Sequence, residues 1–384
     1  MNSIPYGRQS IDDEDIHAVI DVLHSDWLTT GPKVDEFERS ICNYSGCQHA
    51  VAVNSGTSAL DIAVQSLELP KGTEVITTPF TFAATSNALL YNGLVPVYAD
   101  ITGDTRNIDP VDVRKKITKK TGAIIFVDFA GHPCDIAELR EISYDNNLLM
   151  IEDACHALGA GYRGKKIGTL ADMTILSFHP VKLITTGEGG MVTTNDSSRA
   201  DTLRLLRSHG IDKTAHQLSE TGASWAYDMV TLGRNYRITD IQAALGISQV
   251  KKIDAFVQKR TYLSRLYQEL LQDIPQIEIP LTRNDVTHAW HLYTVLLSGV
   301  KRDAVYSYLK SHNIGVNLHY IPTYHFSYYR KNHPQNHNLY PVTEDIFRRI
   351  LTLPLYPGLR EEDVVFIVET LKNAVQQISS SGRV

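Results

Sequence analysis

The chain has 384 residues, 43% of them hydrophobic and 21% charged, with a net charge of −6 and a pI near 6.2. That length suits two domains with separate cores, and the acidic balance argues against nucleic acid or an anionic membrane as the main partner. Cys42, Cys47, Cys134 and Cys155 show no CxxC spacing, which is neither a disulfide framework nor a zinc site and predicts a reducing, cytoplasmic setting.

No apolar run reaches the roughly 18 residues of a membrane span, so a soluble protein is expected. Ile16, Val19, Ile20 and Leu23 follow Asp12, Asp13 and Glu14 at helical spacing, and predict an amphipathic helix over 11–25. A loop at Asp26-Trp27-Leu28-Thr29 leads to a second helix over 34–44. An alternation then sets in. Strands are expected at 49–53, 75–78, 95–99, 123–129 and 148–152, with helices at 59–67, 83–92, 110–117 and 135–146 between them. Strands apolar on both faces that alternate with helices make a mostly parallel central sheet with helices on both faces, an α/β fold. Ligands of such sheets sit beyond the carboxyl ends of the strands.

Further on, 173–178 reads as a buried strand, and another begins at Met191 after a Gly-rich turn. Long helices are expected over 237–249 and 251–271, the second bridging to a smaller α+β C-terminal domain. That domain has predicted strands at 289–297 and 316–320 and helices at 302–312, 344–351 and 361–375. The expected division is an N-terminal segment over 1–25, a large domain over 26–250 and a small domain over 251–384.

Gly159-Ala160-Gly161-Tyr162-Arg163-Gly164 fits GxGxxG, but a dinucleotide fingerprint must open a helix. Here Ile167-Gly168 and another strand follow, so a hairpin is expected and a nicotinamide-dependent oxidoreductase is disfavoured. His288, His291, His319 and His325 have no acidic partner at ligand spacing; such histidines are expected to be packed or to face substrate.

Four features at separate strand ends converge on one chemistry. Asn54-Ser55-Gly56-Thr57-Ser58 turns a strand into a helix, where free N–H groups and the helix dipole cradle a phosphate. Asp153 ends a strand, where its carboxylate can pair with a protonated pyridine nitrogen, and His156 can reach a ring hydroxyl. Pro79-Phe80-Thr81-Phe82 can offer an aromatic face to a planar ring. Lys182 stands between Val181 and Leu183-Ile184, and apolar neighbours lower an ammonium pKa from about 10.4. An amine in that state forms a Schiff base with an aldehyde. Cradle, plate, acid and lysine in this order describe a pyridoxal phosphate site.

These marks, with Glu152-Asp153-Ala154-Cys155-His156-Ala157, Ser177-Phe178-His179-Pro180-Val181-Lys182, Gly187-Glu188-Gly189-Gly190 and Gly233-Arg234-Asn235-Tyr236-Arg237, carry a resemblance over nearly the whole chain. The chain resembles the pyridoxal-phosphate-dependent nucleotide-sugar aminotransferases of the aspartate aminotransferase fold (fold type I). The resemblance implies that Lys182 carries the cofactor and shuttles the proton, with Asp153 on the pyridine nitrogen, His156 on the ring hydroxyl and Phe82 on the ring face. It assigns the phosphate to Gly56, Thr57 and Ser177, with Asn235 reaching the phosphate of a neighbouring subunit in a homodimer. It assigns the nucleotide-sugar site to Tyr6, Asp26, Trp27, Leu28, Thr29, Asn317, Leu318, His319 and Tyr320, and also places Ser177 and Asn235 near substrate.

The implied donor is L-glutamate and the implied acceptor a UDP-linked 4-keto sugar. Within the family the motifs look most like the pseudaminic-acid branch, which aminates C4 of a UDP-4-keto-6-deoxy-N-acetylhexosamine of L-altro configuration. The 4-amino-arabinose and bacillosamine types share much of the pattern and stay open, as does a non-catalytic sugar-nucleotide binder. Lys182 sets the chain apart from family members that have lost the lysine and dehydrate sugars.

Overall fold

The computed structural model describes residues 3–212, 225–334 and 337–381. Its centre is a seven-stranded sheet built from β1 (His49–Val53), β2 (Glu74–Thr77), β3 (Val95–Tyr98), β4 (Thr121–Val127), β5 (Leu149–Asp153), β6 (Met173–Ser177) and β7 (Gly190–Thr194). The spatial order is β1-β7-β6-β5-β4-β2-β3. Within it only β7 runs against the rest, pairing antiparallel with β1 and with β6. Val51, Ile125, Ile151 and Ile175 are wholly buried, as strands covered on both faces require.

The covering helices are α1 (Asp13–Leu23), α2 (Pro32–Ser45), α3 (Gly56–Gln65), α4 (Ala83–Tyr91), α5 (Pro110–Lys116), α6 (Ile136–Asp145), α7 (Ser197–Arg207) and α8 (Asp240–Val250). Their starts follow from capping. Asp12 and Thr239 each form a reciprocal capping box with the third helical residue, Asp15 and Gln242, which satisfies two otherwise orphaned N–H groups. Gly46, at φ 85°, ends α2 in the left-handed region, where a glycine carries no Cβ penalty.

A second core lies between α9 (Ile253–Leu271) and a small sheet of β8 (Ile277–Glu278), β9 (Tyr293–Leu297) and β10 (Ile350–Leu353). It also takes in α10 (Arg302–Ser311) and α13 (Glu361–Ser381). Helix α9 joins the two cores: Ile253 and Val257 pack in the first, Leu263, Tyr267 and Leu271 in the second. Two further helices complete this part of the chain: α11 (Ser327–Asn332), whose Tyr329 Oη donates to Asn87 of α4 at 2.7 Å, and α12 (Pro341–Arg349), which packs on β9.

The segment Gly159–Gly164 is the expected hairpin, with Gly161–Tyr162 pairing antiparallel to Lys165–Lys166. Three readings need correction. Val316–Tyr320 is not a strand: Asn317 alone pairs with Thr352, and beyond it His319 and Tyr320 turn into a cavity. The helix expected over 344–351 ends at Arg349, and the apolar run Ile350–Leu353 pairs with β9 as β10. Helix α7 was not anticipated, although Asp196 caps it by accepting from the N–H groups of Ser198 and Arg199.

Candidate active site

Three strand ends and the starts of α3 and α4 meet beyond the carboxyl edge of the sheet, around a cavity of about 530 Å3. Helix α3 begins at Gly56, three residues earlier than its hydrophobic periodicity implied, because Ser55 is its N-cap and accepts from Ser58 N at 3.0 Å. The N–H groups of Gly56 and Thr57, the first two of the helix, have no intrahelical acceptor. A Cβ on Gly56 would lie 2.9 Å from Ser177 Cβ and 3.4 Å from Cys155 Sγ, so only glycine lets the backbone of α3 approach β6 this closely. The result is a narrow, donor-lined notch suited to a phosphate.

Asp153, the last residue of β5, is buried with its side chain on the cavity wall. Its Oδ2 accepts from Thr85 Oγ1 at 2.7 Å, and Thr81 Oγ1 lies 3.0 Å from the same threonine hydroxyl. Sequence reading missed Thr85, which sits in the first turn of α4. Nothing local marks it: Thr81, four residues before, lies outside α4, and the carboxylate that Thr85 meets belongs to a strand far along the chain.

Lys182 follows a turn in which its backbone N–H donates to His179 O at 2.8 Å. Its side chain lines the cavity, and burial lowers its pKa from the usual lysine range, an effect opposed in part by Cys155 and Asp153. Among the described residues no carboxylate forms an ion pair with it, so the amine is available for chemistry.

His156 is also buried, and its Nε2 lies 2.9 Å from Tyr320 Oη. Burial pushes its pKa well below the usual histidine value, with Lys182 and His319 adding to the effect, so the imidazole is neutral. Its Nδ1 is buried without a partner among the described residues. Phe82 is 62% exposed at the rim, 6.3 Å from the Tyr320 ring. Tyr6 closes the far side, its ring 5.5 Å from that of His319.

The cavity thus brings together Tyr6, Gly56, Thr57, Phe82, Asp153, His156, Ser177, Lys182, Asn317, Leu318, His319 and Tyr320. It does not include Asp26, Trp27, Leu28, Thr29 or Asn235. Those residues lie elsewhere: Thr29 pairs with Thr239 and Leu28 O accepts from Asp240 N, while Asn235 is exposed and pairs with Ser208. Of the four histidines weighed in the sequence, His291 and His319 face the cavity, His288 stacks on Trp290 at 3.9 Å and His325 pairs with Glu344 at 2.7 Å.

The sequence matches the DegT/DnrJ/EryC1/StrS aminotransferase family over residues 9–372. The chain belongs to this family. One relative, the UDP-4-amino-4,6-dideoxy-N-acetyl-beta-L-altrosamine transaminase of Campylobacter jejuni, is 37% identical over 98% of this chain and 98% of its own. Among solved structures, Helicobacter pylori PseC, an aminotransferase involved in the biosynthesis of pseudoaminic acid, superposes with a TM-score of 0.93 at 32% identity. It covers 98% of this chain and 100% of its own. The putative sugar aminotransferase Spr1654 of Streptococcus pneumoniae, 31% identical, superposes in its PMP form with a TM-score of 0.92 and in its PLP form with 0.91. Each form covers 98% of this chain and at least 99% of its own.

This family member is therefore a pyridoxal-phosphate-dependent sugar aminotransferase with the expected α/β fold. Its cavity fits the cofactor on its own terms. The notch at Gly56 suits the phosphate, the Asp153 carboxylate suits a protonated ring nitrogen, and the unpartnered His156 Nδ1 suits a ring oxygen. No helix among the described residues is long and apolar enough to cross a membrane.

Proposed function

We propose that this enzyme moves the amino group of L-glutamate to C4 of a UDP-4-keto-6-deoxy-N-acetylhexosamine of the L-altro series, as in pseudaminic acid biosynthesis. The observation that carries the chemistry is Lys182 and Asp153 on the walls of one cavity. The sugar assignment rests on likeness to the Campylobacter jejuni and Helicobacter pylori relatives, and the division over 1–25, 26–250 and 251–384 is proposed beside it, from the two cores that α9 joins.

When bound, pyridoxal phosphate supplies an aldehyde and an electron-withdrawing ring that stabilises negative charge on the reacting carbon. The chain does the rest. The N–H groups of Gly56 and Thr57, with the Ser177 hydroxyl, hold the phosphate. Asp153, oriented by Thr85, keeps the ring nitrogen protonated, and Phe82 covers a ring face. Lys182 Nζ, kept partly in its free-amine form by burial, would take the proton from the amino-bearing carbon of the donor and pass it to the cofactor, and with the acceptor bound would move a proton from the cofactor to C4 of the sugar. Tyr6, Asn317, Leu318, His319 and Tyr320 shape the sugar end.

The proposed unit is a cytoplasmic homodimer in which Asn235 and the Asp26–Thr29 loop serve the neighbouring site. Asn235 is exposed, outside its own cavity, and flanked by two residues tied to the buried Asp61: Arg234 Nε at 3.3 Å and Tyr236 Oη at 2.8 Å. Trp27 and Leu28, 55% and 49% exposed, are the apolar kind of surface that a second copy covers.

Turnover of a panel of UDP-4-keto sugars with glutamate, with product mass and configuration read directly, tests the reading. The L-altro acceptor is expected to react fastest. A preference for UDP-4-keto-arabinose or the bacillosamine precursor reassigns the sugar, and binding without release of 2-oxoglutarate marks a non-catalytic relative.

A further inference from the structure

The ring of His156 has two aromatic neighbours: His291 approaches to 4.4 Å between ring centroids, and Tyr320 lies at 5.9 Å with planes 18° apart. The Tyr320 hydroxyl has one hydrogen-bond partner among the described residues, His156 Nε2 at 2.9 Å. Burial pushes the phenol pKa well above the usual tyrosine value, with Asp153, Tyr6 and Cys155 adding to the effect. The hydroxyl thus keeps its proton, and Nε2 is the acceptor that uses it.

A neutral imidazole carries one N–H. With Nε2 accepting, that hydrogen sits on Nδ1, the atom that is buried with no partner among the described residues. Nδ1 lacks a partner in either tautomer, so the choice falls to Nε2: in the opposite form it would donate to the phenol oxygen and leave the tyrosine proton with no acceptor among the described residues, an unmade hydrogen bond that costs free energy in a dry site.

We propose that Tyr320 is a positioning residue that acts through His156. Its hydroxyl fixes the imidazole in the Nδ1–H form and presets a donor for an oxyanion on the bound cofactor ring. This rests on the assignment of His156 to the ring oxygen, and it changes the role of Tyr320 from a wall of the sugar site to a support of the cofactor. The tautomer is built before any ligand arrives. Lys182, His319 and His291 face the imidazole; Lys182 and His319 oppose a second proton on it, and none of the three is a hydrogen-bond partner of Nδ1.

Selective 15N labelling of histidine reads the tautomer in the cofactor-free protein, with His156 identified by its loss in His156→Asn. The wild type is expected to show the Nδ1–H pattern at neutral pH, and Tyr320→Phe a mixture of tautomers. A wild-type Nε2–H or doubly protonated ring overturns the proposal without any variant having to fold.

In the loaded enzyme, Tyr320→Phe is expected to weaken cofactor binding about 10-fold, the scale of one lost hydrogen bond geometry. It is also expected to move the pH midpoint of the visible band and to slow the glutamate and sugar half-reactions alike. If only the sugar KM rises while the band and the glutamate half-reaction stay as in the wild type, Tyr320 is a sugar contact and the proposal fails. If His156→Asn leaves cofactor affinity and the band unchanged, the ring-oxygen assignment fails, and the proposed role falls with it even though the tautomer measurement stands.

Discussion

At the scale of single residues, the cavity divides into groups that react and groups that hold them. Lys182→Ala removes the one amine on the wall of the cavity, and amino transfer is expected to fall below detection while the fold, read by circular dichroism, persists. Thr85→Val deletes the hydroxyl that donates to Asp153 Oδ2 at nearly constant volume. A hydrogen bond to a charged group contributes about 1.5–3 kcal/mol, so cofactor dissociation measured by equilibrium dialysis is expected to weaken roughly 10- to 100-fold. Because burial depresses the Lys182 pKa, the rate of cofactor loading should fall as pH drops through a midpoint below the usual lysine value of about 10.4. A midpoint at or above that value contradicts the burial. Lys182, Asp153 and His156 were legible because each stands beside a strand end in a distinctive run. Thr85 was not, since its partner lies 68 residues away and nothing local marks a threonine that reaches across a sheet.

At the scale of elements, β7 begins on a glycine for a steric reason. A Cβ on Gly190 would lie 2.3 Å from Ser55 O and 2.6 Å from Gly56 N, where backbone cannot yield without shifting the start of α3. Gly190→Ala is expected to lower stability by about 1–3 kcal/mol, the range for overpacking, and to weaken cofactor retention by more than a comparable substitution on α13. Urea melts with and without pyridoxal phosphate separate the two effects. The alternating strands and helices of the large lobe were readable from periodicity, because strands buried on both faces give short continuous apolar runs. The small lobe was harder. Ile350–Leu353 follows an amphipathic helix without a Gly or Pro break, so only its pairing with β9 tells strand from helix. The run Val316–Tyr320 has strand-like composition, yet its last residues are drawn into the cavity instead of into a sheet.

For the whole molecule, the seam between the two cores is held by groups that burial keeps from behaving normally. Arg260 of α9 is 1% exposed, and its Nη1 donates to the carbonyls of Trp290, His291 and Leu355 at 2.9–3.2 Å. His156, His288, His291 and His319 are buried, each with a depressed pKa caused first by burial, that of His319 falling to about 3. In the unfolded chain they titrate near 6.5. The folded state therefore binds fewer protons, and stability is fully present above about pH 6.5 and lost as pH falls toward 3. Each group contributes about 1.4 kcal/mol per pH unit once pH is well below that value. Urea midpoints between pH 8 and 5 should fall steeply, and a flat profile would show that the histidines are not neutral in the fold.

The amino-terminal residues are threaded through this seam. Ile4 N donates to Asn313 O at 3.0 Å, Leu355 N donates to Tyr6 O at 3.1 Å, and a Cβ on Gly315 would strike Ile4 O at 2.8 Å. Any bulky fusion at that end competes with the weave, so an affinity handle belongs behind α13. Proteolytic nicking before Ser10 would release Tyr6 from His319 and open that wall of the cavity, leaving a protein that still melts cooperatively but, on the proposed assignment of these residues, holds its sugar nucleotide less tightly.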